Sequence, residues 1–206
     1  MSASFHPALK ASFTEEQLTQ ALPILQQFWQ QGQHQSFLSF DQTRICFSSF
    51  RHPAARAEII LSPGRIEAAQ KYQEFCFDLY QAGFTVHLID HRGQGLSDRI
   101  NADRHLGDVA DFQHYVQDAA LFMAKFSGQM PGPKLLMAHS MGGAIASAYL
   151  AKAPTEFVAA AMSAPMHAPN AEVLFGAKDG CYLAAAVRWS CSDCYAGFVS
   201  QPYNPG

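Results

Sequence analysis

The chain is poor in charge. Only 15% of its 206 residues are Asp, Glu, Lys or Arg, and the formal balance is −3 at neutral pH. No cluster of Lys and Arg appears anywhere, so the basic stripe that nucleic acid demands is missing and nucleic-acid binding is not expected. Long apolar runs are missing too: none approaches the roughly 18 residues that a membrane span needs. The start, Met1-Ser2-Ala3-Ser4-Phe5-His6, has neither a positive n-region nor an apolar h-region, so no signal peptide is expected. The five cysteines (Cys46, Cys76, Cys181, Cys191, Cys194) are odd in number and scattered. They make no disulfide framework, which points to a reducing, cytoplasmic setting. Cys191-Ser-Asp-Cys194 has no second pair at metal-binding spacing, so a zinc or redox site there is disfavoured against coincidence. Gly93-Gln94-Gly95 lacks the third glycine and the helix start of a dinucleotide fingerprint, which makes a nucleotide-binding doubly wound domain a weak third reading. No cofactor and no metal are expected.

What the chain does have is a core. Hydrophobic residues make up 49% of it and aromatic ones 12%, ample for one globular unit and short for two. Thr14-Glu15-Glu16-Gln17 is a capping-box signal, and Leu18, Leu22, Leu25 and Phe28/Trp29 recur at helical spacing up to Gly32, with Pro23 expected to split the helix. The opposite face is rich in Gln rather than Lys, so packing on the domain is favoured over a membrane-surface role. Residues 35–40 and 43–50 read as a hairpin around Asp41-Gln42. Ala57–Ser62, Phe84–Ile89, Lys134–Ala138 and Glu156–Met162 read as buried strands. Helices are expected over about 67–82, capped by Gly83, and over 112–126. Strands alternating with helices imply an α/β fold with a mostly parallel sheet and a leading antiparallel hairpin.

The stretch that organises the rest is Lys134-Leu135-Leu136-Met137-Ala138-His139-Ser140-Met141-Gly142-Gly143-Ala144. An apolar strand runs into a turn of small residues around a serine and then into a helix, the pattern of a nucleophile elbow. A serine hydroxyl is a weak nucleophile and must stand clear of the backbone, so the positions two before and two after it must be small. Gly142 satisfies this fully, and Ala138 departs from it by one methyl. The helix that follows aims its free N–H groups at an anion forming on Ser140, with the Met141 N–H as one donor. A glycine-rich helix start with an incidental serine is the plainer alternative.

Other candidates weigh less. Pro63-Gly64-Arg65-Ile66-Glu67 follows a strand at the end of the sheet where open α/β sheets bind ligands. Gly64 permits close approach there, and the Arg65 N–H is a candidate second oxyanion donor. Asp90 and Arg92 are expected to tie loops together rather than do chemistry. His91 and His139 fall near the strand ends, but His139 precedes the serine and would point away from it.

Pro63-Gly64-Arg65-Ile66-Glu67, Asp90-His91-Arg92-Gly93-Gln94-Gly95-Leu96-Ser97, Ala138-His139-Ser140-Met141-Gly142-Gly143 and Ser163-Ala164-Pro165-Met166 follow one another in order. Together they resemble the α/β-hydrolase branch of lysophospholipase L2 and monoacylglycerol lipase. The resemblance implies Ser140 as nucleophile, with the Arg65 and Met141 N–H groups as oxyanion hole. Pro63 stands where monoacylglycerol lipases carry His, which favours the lysophospholipase side. It also implies a hydrolase core over residues 1–164 and the start of a lid over 165–206. In that family the Asp and His of the triad follow two further strands. Here Asp179 and Asp193 follow no strand and no histidine lies beyond His167, so the fold is expected to be incomplete at its C-terminus and the chain close to inactive. The partners implied are a lipid ester, a peripheral contact with the (inner) membrane, and self-association through an unpaired sheet edge. The alternative function is a non-catalytic hydrolase-fold remnant that binds a lipid or a protein.

Overall fold

A computed structural model describes residues 11–101 and 109–166. The expected lid over 165–206, apart from Pro165 and Met166, and the Cys191–Cys194 pair lie outside these residues.

Six strands form one sheet: β1 (Gln33–Leu38), β2 (Arg44–Phe50), β3 (Glu58–Ser62), β4 (Thr85–Ile89), β5 (Lys134–His139) and β6 (Ala159–Ser163), in the order β1-β2-β4-β3-β5-β6. β1 and β2 form the expected hairpin, and β2 pairs antiparallel with β4. β4, β3, β5 and β6 are neighbours and parallel. Each parallel crossover carries a helix, which is why β3, β4 and β5 read as near-continuous apolar runs: both faces of the sheet are covered.

Side chains alternate between those faces. Ile59 and Leu61 of β3, with Val86 and Leu88 of β4, pack under α1 (Leu18–Gln31) and α2 (Gln73–Gln81), against Phe28, Cys76 and Leu79. Ile60, Ile89, Leu136 and Ala138 pack on the other face under α3 (Gln113–Phe126) and α4 (Met141–Leu150), against Val116, Phe122, Ala146 and Leu150. Fully burying one such aliphatic side chain stabilises by roughly 1.5–3 kcal/mol, so the two layers fix the register of the central strands.

β1 lies two residues earlier than expected, at Gln33–Leu38 rather than 35–40, and three further differences each have a local reason. α1 is continuous through Pro23, after a 3₁₀ turn at Glu15–Gln17. Pro23 removes only the bond to the carbonyl of Thr19, and both residues are exposed, a setting in which a freed carbonyl costs little. The helix expected from residue 67 begins as a 3₁₀ turn at Ala69–Tyr72 and becomes α2 only at Gln73. The Glu67 carboxylate turns back to the Gly64 N–H (2.7 Å), and the Ala69 N–H goes to Asp90 Oδ1 (2.6 Å), so neither residue is free to begin an α-turn. The last strand starts at Ala159 rather than 156, because Glu156 accepts the Tyr149 hydroxyl and Phe157 turns into the core.

Candidate active site

β5 runs directly into α4 through one residue. Ser140 sits at φ 51°, ψ −119°, a region that an L-residue adopts only when its surroundings force it. The forcing contacts are visible. The Ser140 N–H donates to the Ser163 carbonyl (3.0 Å), while its own carbonyl accepts from Gly143 (2.9 Å) and Met166 (2.9 Å). The turn is thus clamped between β6 and the first turn of α4.

The elbow's small residues have specific duties. A Cβ on Gly142 would fall 2.1 Å from the Ser62 carbonyl oxygen and 2.4 Å from that of Pro63, both backbone atoms that cannot yield. Glycine at 142 is what lets the start of α4 close on the end of β3. Ala138 needs no such approach: its methyl is buried in the layer under α3 and α4, so the departure from glycine is taken up as core packing. The Met141 side chain is buried beside Tyr115 and Ile145. Its N–H, the first of α4, has no acceptor within the helix.

Beside the elbow lies the turn after β3. Ser62 pairs in register with Ala138, which brings Pro63-Gly64-Arg65-Ile66 next to Ser140 at the C-terminal edge of the sheet. The turn is held from below by two side chains. Glu67 accepts the Gly64 N–H and receives Tyr72 and Lys71. Burial works against its charge, but the hydrogen bonds from Lys71, Tyr72 and Gly64 prevail and hold its carboxyl below the usual range. Gln94, buried in the loop after β4, accepts the Ile66 N–H through Oε1 (2.5 Å) and donates through Nε2 to the carbonyls of Gly64 (3.1 Å) and Glu67 (3.3 Å). Ile66 is thereby kept at φ 60°.

The loop after β4 is itself anchored. Asp90 accepts the N–H groups of Ala69 and Leu96, and burial raises its pKa. Arg92 is buried and binds Asp118 of α3 bidentately (Nε 2.7 Å, Nη2 2.8 Å), with Asp41 of the β1–β2 turn at 2.8 Å. Both residues tie loops together, as expected.

The two site histidines differ. His91 is fully enclosed, with Nε2 3.0 Å from Ser62 Oγ, and burial drives its pKa down to about 4. It is neutral at pH 7 and occupied below the sheet edge. The His139 ring lies against the β3 turn, where a Cβ on Gly64 would come within 3.2 Å of its Cδ2. Among the described residues no side chain hydrogen-bonds the Ser140 hydroxyl, and no group of His, Cys, Asp and Glu is gathered to hold a metal. No helix among them is long and apolar enough to cross a membrane.

Sequence reasoning placed Ser140, Met141, Gly142, Gly64 and Arg65 at one edge, and the structure brings them together there. It passed over Gln94 and gave Glu67 no role. A buried amide directly after an Arg-Gly pair has no local signature; only the fold shows what it reaches.

A strand, a serine elbow and a helix on a mostly parallel sheet with a leading hairpin make the α/β-hydrolase fold. The family model described as serine aminopeptidase, S33, matches residues 53–192, and the chain belongs to that family. Lysophospholipase L2 of Escherichia coli K12 is 42% identical over 145 residues, covering 69% of this chain and 42% of that protein. Human monoglyceride lipase is 32% identical over 118 residues, covering 57% of this chain and 37% of that protein. The chain therefore spans less than half the length of these relatives. Among solved structures, an α/β hydrolase from Novosphingobium aromaticivorans overlays with a TM-score of 0.53 at 21% identity, over 64% of this chain and 43% of that one. A carboxyl esterase from Bacillus coagulans gives 0.53 at 20%, over 64% and 43%. These overlays bear on the fold; the sequence relatives place the chain in the α/β-hydrolase branch that contains lysophospholipase L2 and monoacylglycerol lipase.

Proposed function

We propose that this chain carries the nucleophile and oxyanion hole of a serine ester hydrolase whose substrates are lysophospholipids or monoacylglycerols. The observation that carries the reading is Ser140 in its forced conformation between β5 and α4, beside the stapled turn after β3. Ser140 Oγ attacks the ester carbonyl carbon, and the negative charge that develops on the carbonyl oxygen is met by the N–H groups of Met141 and Arg65. The alcohol portion, a glycerol or glycerophosphodiester, leaves, and water releases the fatty acid from the acyl-serine.

The proton on Oγ needs an acceptor. His91 does not serve, because it is enclosed and held neutral by burial against Ser62. The base comes from outside the described residues. The family resemblance puts the base on a loop after two further strands, and in serine hydrolases loss of the base costs on the order of 10⁶-fold in rate, so we expect the 206 residues alone to turn over esters very slowly. Among the described residues β6 pairs with β5 alone, and its side chains alternate between exposed and half-buried. Self-association along that edge belongs to the same proposal.

The test compares this chain with one lengthened by the C-terminal portion of the Escherichia coli lysophospholipase L2. Hydrolysis of a short-chain ester and fluorophosphonate labelling of Ser140 are measured in both. Activity and labelling are expected in the lengthened chain and lost in Ser140→Ala. Strong turnover by the 206-residue chain, abolished by Ser140→Ala, would place the base within it. No labelling in either would favour the non-catalytic lipid- or protein-binding alternative.

A further inference from the structure

Backbone strain is concentrated beside the elbow. Four residues other than glycine have positive φ among the described residues: Gln42, Ile66, Ser140 and Ala164. Gln42 belongs to the β1–β2 turn, while the other three gather at the edge that carries Ser140. Ile66 is held by Gln94, and Ser140 by the elbow itself. Ala164, at φ 44°, directly follows β6, and neither of those causes reaches it. An L-residue resists that conformation, so something else must fix it there.

The pairing of β5 with β6 supplies the cause. His139 lies opposite Ser163 in a parallel register, and the Ser140 N–H continues the ladder to the Ser163 carbonyl (3.0 Å). A regular parallel ladder would then return a bond from the N–H of residue 165 to the Ser140 carbonyl. Residue 165 is proline and has no N–H to give. The Met166 N–H takes that place (2.9 Å), so Ala164 and Pro165 together stand where the ladder has room for one residue. This is a bulge, and Ala164 enters positive φ to accommodate the extra residue. Its longer reach suits what Ser140 does. A strand residue keeps its carbonyl in line with the ladder, but the Ser140 carbonyl has turned to accept Gly143 at the start of α4 (2.9 Å), and the bulge follows it. Pro165 in turn rests on Gly143, where an added Cβ would fall 2.6 Å from the Pro165 Cβ.

We infer that this bulge aims the nucleophile, with Pro165 as a positioning residue that acts on Ser140 through its carbonyl. Pro165 sets the register by withholding a donor, and Ala164 absorbs the strain that results. Gly142 closes the elbow against β3 and the bulge closes it against β6, so the Ser140 peptide is fixed from both sides. Bulges beside reacting groups re-aim a side chain in this way. Moving Oγ by about 1 Å costs on the order of 100-fold in rate, so a one-residue change of register on β6 is felt at the ester. The inference rests on the reading of Ser140 as a nucleophile, while the bulge itself rests on register and hydrogen bonds alone.

Two substitutions pull the bulge in opposite directions. Pro165→Ala gives position 165 an N–H, which lets the regular ladder replace the bulge, whereas Ala164→Gly suits the positive φ and favours the bulge. In the 206-residue protein, amide hydrogen exchange followed by NMR should find the Met166 N–H protected. In Pro165→Ala the protection should pass to position 165, with little change in the urea midpoint because one bond replaces another. Adding Ala164→Gly to Pro165→Ala should return the protection to Met166. In the chain lengthened as above, Pro165→Ala should lower kcat on a short-chain ester about 100-fold with KM within about two-fold, and the double variant should recover most of that loss. A Met166 N–H that exchanges freely in the wild type would overturn the inference. An unchanged kcat in Pro165→Ala would do the same, as would a fall in kcat with the protection still at Met166 or one that Ala164→Gly does not relieve. If the lengthened wild type never labels at Ser140 while the protection moves as expected, the bulge stands as the device that shapes the elbow and the esterase reading falls.

Discussion

Truncating Asp118 to alanine tests how the site is held from beneath. Asp118 and Arg92 are each 2% exposed and joined by two short hydrogen bonds, and Arg92 alone links α3, the β1–β2 turn and the loop that carries Gln94. Asp118→Ala removes the inner of the two carboxylates on Arg92 and leaves it Asp41 alone, which costs about 3 kcal/mol, the low end of the range for breaking a buried pair. Asp41 cannot make up the loss: it binds from the partly exposed side and already holds its own hydrogen bonds to Arg92. A domain of this size has only about 5–15 kcal/mol to lose, so the midpoint of a urea titration followed by tryptophan fluorescence should fall steeply with its slope unchanged. The paired replacement Arg92→Met with Asp118→Leu removes both charges and keeps the volume, and should recover most of the loss. A fall of less than about 1 kcal/mol in Asp118→Ala, or a double variant as unstable as the single one, would refute the view of this pair as the clamp.

Further outcomes are expected. His91, neutral in the fold with a pKa near 4, takes up a proton more readily when unfolded, at about 6.5. Its contribution is therefore complete above about pH 6.5 and is lost as pH falls toward 4, on the order of 3 kcal/mol in all; urea midpoints measured against pH should show this slope, and His91→Gln should flatten it. Gly142→Ala drives a methyl onto two backbone oxygens and should destabilise by roughly 3 kcal/mol in thermal or urea unfolding, whereas Gly143→Ala meets only Pro165, beside the last described residue, and should cost less. In the lengthened chain, Arg65→Ala should keep the oxyanion hole, which uses the backbone, yet slow lysophospholipid hydrolysis more than monoacylglycerol hydrolysis; equal losses on both substrates would count against a phosphate contact.

The sequence made the elbow legible because the chemistry there is local. Strand, serine, glycine and helix are contiguous between Lys134 and Leu150, and each is required by its immediate neighbour. That β3, β4, β5 and β6 are parallel neighbours was legible for a related reason, since buried strands alternating with amphipathic helices admit few topologies; their order, β4-β3-β5-β6, came only with the structure. What escaped is what depends on partners distant in the chain. That Pro23 would leave α1 whole follows from the exposure of Thr19, which no pattern in residues 18–31 reveals. The late start of α2 follows from Glu67 and Asp90, far apart in the chain, both capturing N–H groups of one turn.

The same distinction governs the turn after β3, the proposed oxyanion turn. Its geometry is set by Gln94, 28 positions from the Ile66 N–H it accepts, and Gln94 is in turn held by a loop that Arg92 fastens to α3 and to the β1–β2 hairpin. A nucleophile can be placed by a tight turn, because one strained residue needs only close neighbours to strain it. A donor for the charge that develops opposite it must come from another strand, and the two must agree to within a fraction of an ångström. That agreement cannot be local. The chain meets it by bonding the turn after β3 to the loop after β4 on one side and wedging Gly142 against the Ser62 and Pro63 carbonyls on the other. Rigidity of this kind is made of buried amides, carboxylates and one missing methyl, scattered along the sequence and gathered only by the sheet.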